Sequence, residues 1–214
     1  MSLPPRDLVA WLYRSVAEHR LITGSAGNVS LRHGEGMLIT PTGATGATAR
    51  PARMVEMRFD GNHQGKVLPS SEWQMHAAIY RAAPQAMAIV HTHSDCATAL
   101  ACLGEPLPAF HYDVAGFGGT TVPLAAYATF GTAELAANVV RAMAGHSACL
   151  LANHGMICHA ATAEAALAAA LRLETLARQY LMARAAGAPV LLDAAAMRAV
   201  HGRYRNYGQQ ESKA

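Results

Sequence analysis

Residues 89–100 read IVHTHSDCATAL, a stretch that places two histidines at the end of an apolar run. If residues 86–91 form a strand, side chains alternate between its two faces, and His91 and His93 then point in the same direction. Two neighbouring imidazoles are a typical way to offer two ligands to one metal ion. A His-x-His pair alone more often consists of one surface histidine and one hydrogen-bonded core histidine. The choice between these interpretations depends on the rest of the chain.

The composition is that of an ordinary α/β domain. The chain has 214 residues, of which 52% are apolar and 14% are charged, and its formal net charge is +3. This length is enough to bury a sizeable core. The lysines and arginines are scattered, without a basic run or interleaved aromatic residues, which argues against a nucleic-acid partner. The low charge and the many alanines indicate that part of the surface is covered by subunit contacts.

The four cysteines follow neither a CxxC pattern nor a secreted disulfide framework. Cys149 and Cys158 lie in apolar, strand-like runs, which favours small buried residues. The first residues contain no apolar signal region, and no segment approaches the roughly 20 apolar residues of a membrane span. We therefore expect a soluble, cytoplasmic protein without a membrane partner.

Periodicity and turn residues predict helices and strands in mixed order, with Thr132 and Thr162 as helix N-caps. The predicted helices cover residues 5–21, 71–83, 94–103, 132–144, 162–186 and 193–203. The predicted strands cover residues 27–32, 36–40, 54–61, 86–91, 148–153 and 156–160. This order predicts a mixed sheet covered by helices on both faces. Because no linker or repeat divides the chain, we expect a single domain over residues 1–214, with a polar tail from about residue 205.

A third histidine stands at the end of a second apolar run, in LLANHGMI. His154 ends this predicted strand as His91 ends the earlier one, and two such strands can lie side by side in a sheet. His91, His93 and His154 would then meet at one sheet edge. Three imidazoles with an open position form a catalytic zinc site, although Co²⁺ or Mn²⁺ can take the same ligands. Alternatively, His154 is only a turn residue.

The segment LPSSEWQMH starts a predicted helix with a carboxylate in its first turn. Ser71 and Gln74 match a capping box, and an acidic Glu72 suits the positive end of the helix dipole. Glu72 is alternatively a general base or a carboxylate linked to the metal. Glu72 and His76 are four residues apart on one helical face, which offers two metal ligands or, as we prefer, a hydrogen-bonded pair.

Several short polar segments are suited to bind a phosphate group without lysine or arginine. Ser70 and Ser71 bring hydroxyls and free backbone N–H groups to a helix N-terminus, where anions bind. Asn28 in SAGNVS, with Thr42 and Gly43 in TPTGATG, can complete such a cradle. Each segment alone is as easily an ordinary turn. A phosphate site beside a metal site indicates a small phosphorylated substrate whose carbonyl or hydroxyl group binds the metal.

Several segments occur in a fixed order along the chain: GNVS, TPTG, LPSSEWQMH, VHTH, PAFHYDVAGFGG, YATFGT and NHG. In this order they resemble the class II aldolase/adducin family over residues 8–207. The resemblance implies an α/β fold of three layers, in which helices cover both faces of a mixed, mainly antiparallel central sheet. It also implies a homotetramer with fourfold symmetry and active sites at the interface between neighbouring subunits.

The resemblance further implies a role for each matching residue. The zinc ligands would be His91, His93 and His154. The residues that would hold the phosphate are Asn28, Thr42, Gly43, Ser70 and Ser71. Glu72 would be the acid/base residue, and Tyr112 from the adjacent subunit would donate a proton to the leaving aldehyde oxygen. Phe130 and Tyr207 would line the aldehyde side.

The implied reaction is reversible, zinc-dependent cleavage of a ketose 1-phosphate into dihydroxyacetone phosphate and an aldehyde, without a lysine Schiff base. L-fuculose, 5-deoxyribulose and 5-methylthioribulose 1-phosphates are the expected substrate types. Asp113, Val114 and Phe117 depart from the fuculose-phosphate members of the family, and Phe117 with Phe130 would suit an apolar aldehyde.

Other activities and roles occur within the same family. The alternatives are a decarboxylase, epimerase or dehydratase of a phosphorylated sugar, with the decarboxylase as the preferred one. From another class, a non-catalytic adducin-like scaffold is the alternative. The presence of Glu72 and of all three candidate histidine ligands argues against the scaffold.

Overall fold

A seven-stranded sheet with helices on both faces is the framework of the computed structural model, which describes residues 3–204. The helices in this part of the chain are α1 (Pro5–Glu18), α2 (Trp73–Ala82), α3 (Asp95–Cys102), α4 (Ala133–Ala142), α5 (Ala163–Ala186) and α6 (Ala194–Tyr204). The strands are β1 (Gly27–His33), β2 (Gly36–Ile39), β3 (Val55–Arg58), β4 (Ala88–Thr92), β5 (Leu124–Ala125), β6 (Ala148–Leu151) and β7 (Gly155–Ala160). Short 3₁₀ segments lie at Pro51–Arg53 and Tyr112–Phe117.

The strand order is β3-β2-β1-β4-β7-β6-β5, and all neighbours are antiparallel except the parallel pair β5 and β6. This order confirms the expected mixed, mainly antiparallel sheet. β4 is central, with β1 and β7 on its two sides. In this register, His91 of β4 lies opposite Asn28 of β1 and Ile157 of β7. The end of β4 therefore collects side chains from three strands.

Alternation along the strands divides the apolar residues into two cores, one on each face of the sheet. In β4, Ala88 and Val90 belong to the larger core and Ile89 belongs to the smaller one. Residues of α1, α3 and α5 pack in the larger core, whereas residues of α2 and α4 pack in the smaller one. Because His91 is two residues after Ile89, its side chain emerges on the face covered by α2 and α4.

The predicted N-caps are confirmed, whereas the predicted capping box is wrong. The hydroxyls of Thr132 and Thr162 accept hydrogen bonds of 3.2 and 3.1 Å from N–H groups in the first turns of α4 and α5. The capping box of Ser71 and Gln74 is not formed, because α2 begins at Trp73 and no side chain caps it. Glu72, rather than Ser71, holds the position before the helix.

β5 (Leu124–Ala125) was not predicted, because a strand of two residues shows no readable alternation. The strand predicted over residues 54–61 is limited to Val55–Arg58, because a turn follows it directly. Cys149 and Cys158 are buried, as predicted. Within the described part of the chain, no helix combines the length and the apolar character that crossing a membrane requires.

Candidate active site

Four side chains that can bind a metal ion converge beyond the end of β4. Each of these side chains offers one ligand atom, and the four atoms lie within 4.8 Å of one another. The residues are Glu72, His91, His93 and His154. Nε2 of His91 is 3.0 Å from Nε2 of His93 and 3.1 Å from Oε2 of Glu72. Nε2 of His154 is 3.3 Å from Oε1 of Glu72. The structure thus brings together the three histidines and the carboxylate that the sequence suggested.

The approach of His154 to the end of β4 depends on a glycine. His154 ends the tight turn between β6 and β7, in which Asn153 adopts a φ of 53°. A Cβ atom on Gly155 would lie 2.3 Å from the carbonyl oxygen of Thr92. This steric clash could be relieved only if the backbone moved. Any larger residue at Gly155 would therefore push the His154 turn away from β4.

The orientation of the His91 ring is set by a neighbouring strand. Nδ1 of His91 lies 2.8 Å from the carbonyl oxygen of Met156 in β7. Because a carbonyl oxygen only accepts, Nδ1 carries a proton and donates it. Nε2, which faces the other three groups of the cluster, is the nitrogen left to bind a metal ion.

Glu72 and His91 are buried and His93 and His154 are half-buried, and burial and neighbouring charges together shift the pKa values of the cluster. Glu72 is 6% exposed and His91 is 0% exposed. Burial opposes ionisation of Glu72, but the neighbouring His91 and His154 outweigh it and hold the pKa of the carboxyl well below its ordinary value. Burial, reinforced by the charges of His91 and His154, lowers the pKa of His93 to about 4. An ionised Glu72 and a neutral His93 are the forms that bind a metal ion.

The donor set fits a divalent metal ion. Three imidazole nitrogens and a carboxylate face one another across distances that a single ion can bridge. Among the described residues, the buried Oε1 of Glu72 has no partner of hydrogen-bonding geometry, and a cation beside it would satisfy this atom. Zn²⁺, Co²⁺ and Mn²⁺ all accept such ligands.

Two of the predicted phosphate-binding segments pair with each other next to Glu72. Residues 40–42 and 68–70 are joined by a β-bridge between Pro41 and Pro69 and by two backbone hydrogen bonds of 3.0 and 3.1 Å. The predicted phosphate-binding residues that this pairing brings together are Thr42, Gly43, Ser70 and Ser71. They are thus gathered at one place, although they come from separate loops.

The local geometry of these residues suits an anion. Gly43 has a φ of 67°, a conformation that favours glycine, and Gly43 and Ser71 are exposed. Ser70 is buried, and its hydroxyl accepts a hydrogen bond of 3.3 Å from the N–H of Glu72. Because Ser70 and Ser71 lie just before α2, the positive end of the helix dipole adds to the attraction for a phosphate group.

Asn28 differs from the other predicted phosphate-binding residues, because protein groups already engage its side chain. Nδ2 of Asn28 donates a hydrogen bond of 2.9 Å to Oε2 of Glu72, and Oδ1 lies 2.6 Å from Nε2 of His76. The predicted direct pair of Glu72 and His76 is therefore wrong. Asn28 of β1 stands between them, since its side chain bonds to Glu72 and to His76.

The two phenylalanines that the sequence analysis expected beside an apolar aldehyde lie in different surroundings. Phe117 is 2% exposed and packs in the larger core, where its ring serves packing within the chain. Phe130, in contrast, is 64% exposed. The loop of Phe130 passes next to the phosphate-binding segment. The approach is so close that a Cβ atom on Gly131 would lie 2.8 Å from the carbonyl oxygen of Ser71.

The two predicted tyrosines are not part of the cluster within one chain. Tyr112 is 52% exposed, and its ring stacks on that of His111 at a centroid distance of 4.6 Å. Among the described residues, no hydrogen bond, ion pair or ring contact joins Tyr112 to Glu72 or to the three histidines. Tyr207 lies outside the described residues.

One residue that supports the site was not anticipated from the sequence. Glu174 of α5 accepts hydrogen bonds of 2.9 Å from the backbone N–H groups of Cys96 and Ala97, at the start of α3. This contact holds α3, which begins directly after the segment of His93, against α5. Nothing in the sequence signals it, because Glu174 is one of several charged residues on a long helix.

The chain matches a known protein family over most of its length. Residues 7–181 match the family described as "Class II Aldolase and Adducin N-terminal domain". A 5-methylthioribulose-1-phosphate/5-deoxyribulose-1-phosphate aldolase of Rhodospirillum rubrum is 46% identical over 195 residues, which are 91% of this chain and 88% of that protein. An L-fuculose phosphate aldolase of Escherichia coli K12 is 41% identical over 186 residues, which are 86% of each chain.

A solved structure agrees with this match. The structure of an L-fuculose 1-phosphate aldolase superposes with a TM-score of 0.91 at 37% sequence identity. The superposition covers 96% of this chain and 98% of the other. The likeness therefore extends to the whole sheet and its helical layers.

Proposed function

The chain belongs to the class II aldolase and adducin family, and we propose that it is a metal-dependent aldolase that cleaves a ketose 1-phosphate reversibly. The products are dihydroxyacetone phosphate and an aldehyde. The observation that carries this function is the convergence of Glu72 with His91, His93 and His154, next to two loops suited to hold a phosphate group. A carboxylate that can move a proton thus lies close to a metal site and an anion site.

The phosphate end of the substrate is held by the paired loops before α2. The backbone N–H of Gly43 and the hydroxyls of Thr42, Ser70 and Ser71 supply the hydrogen bonds. Asn28 adds the second N–H of its amide, because only one is used by Glu72. This end of the substrate is thereby fixed at one distance from Glu72.

The three histidines are the proposed ligands of the divalent metal ion, and Glu72 lies close enough to contact the ion when no substrate is bound. When bound, the ion supplies a Lewis acid that stabilises negative charge on the substrate oxygens during cleavage. We propose Zn²⁺ as the natural ion, since three imidazoles favour it, with Co²⁺ or Mn²⁺ as replacements.

Glu72 is the proposed acid/base residue. After the C3–C4 bond breaks, the electron pair remains on the dihydroxyacetone phosphate fragment, and Glu72 returns a proton to its C3 atom. In the direction of synthesis, Glu72 removes the same proton.

Tyr112 acts in the active site of an adjacent subunit of a homotetramer. Its exposure and its lack of contact with the cluster of its own chain support this role. In synthesis it donates a proton to the aldehyde oxygen, and cleavage runs the same transfer in reverse. Phe130 is the residue that we propose for the aldehyde side, and Tyr207, outside the described residues, stays a prediction for the same side. The cytoplasmic location stays a prediction from the sequence.

The preferred substrates are 5-deoxyribulose 1-phosphate and 5-methylthioribulose 1-phosphate. The name of the Rhodospirillum rubrum relative, at 46% identity, supports this choice over L-fuculose 1-phosphate. The exposed ring of Phe130 beside the phosphate-binding segment suits an aldehyde with an apolar end.

The test is release of dihydroxyacetone phosphate from a panel of ketose 1-phosphates, measured with and without a chelator. The panel contains the L-fuculose, L-rhamnulose, D-ribulose, 5-deoxyribulose and 5-methylthioribulose compounds. We expect release that the chelator abolishes and that added Zn²⁺ restores, with the highest kcat/KM for the two 5-substituted ribuloses. No release from any zinc-loaded sample would contradict the aldolase and direct the search to decarboxylation of phosphorylated sugar acids.

A further inference from the structure

A line of polar side chains is buried between α2 and β1, next to the metal cluster but outside it. Ser30 and His76 are 0% exposed, Tyr80 is 1% exposed and Asn28 is 4% exposed. Alternation along β1 sends Asn28 and Ser30 to the face that α2 covers, while Val29 packs in the opposite core. This group, called the relay below, comprises Tyr80, Ser30, His76 and Asn28.

The hydrogen bonds of the relay can be assigned from one end. The carboxyl oxygen Oε2 of Glu72 accepts a hydrogen bond of 2.9 Å from the amide nitrogen Nδ2 of Asn28. The oxygen Oδ1 of Asn28 then faces Nε2 of His76 at 2.6 Å. Because Oδ1 only accepts, Nε2 of His76 must carry a proton.

The other end of the relay completes the assignment. A neutral His76 with its proton on Nε2 has an unprotonated Nδ1, which accepts a hydrogen bond of 2.7 Å from the hydroxyl of Ser30. The oxygen of Ser30 then accepts a hydrogen bond of 2.9 Å from the hydroxyl of Tyr80. Burial lowers the pKa of His76 to about 3, which keeps its ring neutral. Every donor therefore points along the relay towards Glu72.

We propose that His76 is a positioning residue: its Nε2–H tautomer fixes the orientation of the Asn28 amide, and the amide fixes the Glu72 carboxylate and presents its second N–H to the substrate phosphate. This role rests on the proposed aldolase function. If the amide of Asn28 turned over, its oxygen would face Oε2 of Glu72, and two acceptors would repel each other. The relay also disfavours the flipped amide, because the protonated Nε2 of His76 would then face the amide nitrogen. Two hydrogen-bond donors would lie opposite each other.

The relay places one amide between the acid/base residue and the phosphate group. Asn28 lies opposite His91 on the neighbouring strand, so its backbone is held by the sheet. The carboxylate of Glu72 is therefore held at a set distance from both the metal ligands and the phosphate end of the substrate. Small displacements of an acid/base residue slow proton transfer to carbon. We therefore expect a misplaced Glu72 to lower kcat.

The first experiment determines the tautomer of His76 in the wild-type, metal-free protein. Correlation spectra of protein with ¹⁵N-labelled histidine rings distinguish Nε2–H from Nδ1–H, and loss of one signal set in His76→Gln assigns His76 among the 11 histidines. We expect a neutral ring protonated on Nε2 at neutral pH. A ring protonated on Nδ1, or a doubly protonated ring, would overturn the proposal. This readout does not require aldolase activity.

The second experiment compares His76→Leu with His76→Gln. Leucine removes the donor to Asn28, whereas the amide nitrogen of glutamine can replace it. We expect kcat to fall about 10–100-fold in His76→Leu and to recover to within about threefold of wild type in His76→Gln. Inhibition by inorganic phosphate should weaken in His76→Leu and return in His76→Gln.

The matched control is His159→Gln, a change of another buried histidine, on β7 and outside the relay. It should leave kcat and phosphate inhibition unchanged. Equal kcat values in His76→Leu and wild type, or no recovery in a folded His76→Gln, would overturn the proposal. Absence of cleavage in the wild-type enzyme would instead contradict the aldolase function, while the tautomer measurement would still decide the assignment of the relay.

Discussion

Oε2 of Glu72 lies 3.1 Å from Nε2 of His91, although Glu72 precedes a helix and His91 lies near the end of the central strand. The two residues meet because β4 directs His91 to the face of the sheet that α2 covers. The carboxylate thus lies where a metal ion bound by the histidines would also contact it. The same position lets it act on a substrate next to the metal, which leads to the first prediction.

Replacement of Glu72 by glutamine should remove the acid/base group while keeping its shape. We expect Glu72→Gln to lower kcat by about 10²–10⁴-fold, since it cannot take a proton from carbon. The three histidines remain, so the variant should retain bound metal and inhibition by inorganic phosphate. Steady-state kinetics and elemental analysis of the purified variant measure both effects. Normal turnover in Glu72→Gln would assign the proton transfer to another residue.

Replacement of Tyr112 by phenylalanine should act on the reaction step rather than on binding. The hydroxyl is the proposed proton donor to the aldehyde oxygen, so kcat should fall by about 10²-fold or more in Tyr112→Phe. Inhibition by inorganic phosphate should be unchanged. Tyr127→Phe, which changes another exposed tyrosine, is the control and should keep wild-type kcat. An equal loss of substrate affinity and kcat in Tyr112→Phe would make it a binding residue instead.

The conformation of Gly43 offers a test of the phosphate site. Gly43 and Gly34 have φ values of 67° and 53°, and a Cβ atom on either meets nothing within 4 Å. Alanine at each position should therefore cost similar stability, about 1–2 kcal/mol, through backbone strain alone. Only Gly43→Ala should also raise the KM for the ketose phosphate, by about tenfold, because it disturbs a hydrogen bond to the phosphate worth about 1.4 kcal/mol.

Thermal unfolding and steady-state kinetics separate the two effects. The glycine at position 34 lies in the hairpin between β1 and β2, away from the proposed site. Equal KM values for the two alanine variants would remove the loop of residues 40–43 from the phosphate site.

Two phenylalanines that the sequence grouped together should behave differently. Phe117 is a core residue, so Phe117→Leu should lower the free energy of unfolding by about 1–3 kcal/mol and leave the order of aldehyde preferences unchanged. Phe130 is exposed in one chain, so Phe130→Ala should cost less than about 0.5 kcal/mol per protomer. It should reduce the preference for the 5-substituted ribuloses by roughly tenfold in kcat/KM.

Denaturant titration and the ketose 1-phosphate panel measure these two quantities. A change of preference in Phe117→Leu without one in Phe130→Ala would contradict the proposed aldehyde side.

The sequence by itself determined most of the elements and the candidates for the metal site. Apolar runs that end in histidine, at His91 and His154, predict strands whose ends carry ligands, and local periodicity is enough for this. Capping by Thr132 and Thr162 was equally local. The order of motifs from Asn28 onwards identified the family and hence the layered fold.

Only the tertiary structure decided which polar groups pair. The capping box of Ser71 and Gln74 did not form, and His76 bonds to Asn28 rather than to Glu72, because β1 lies directly under α2. Such contacts join residues far apart in the chain, and they depend on strand register and on which face a side chain takes. Sequence spacing reports neither of these, so it named the residues of the site but not the hydrogen bonds that hold them in place.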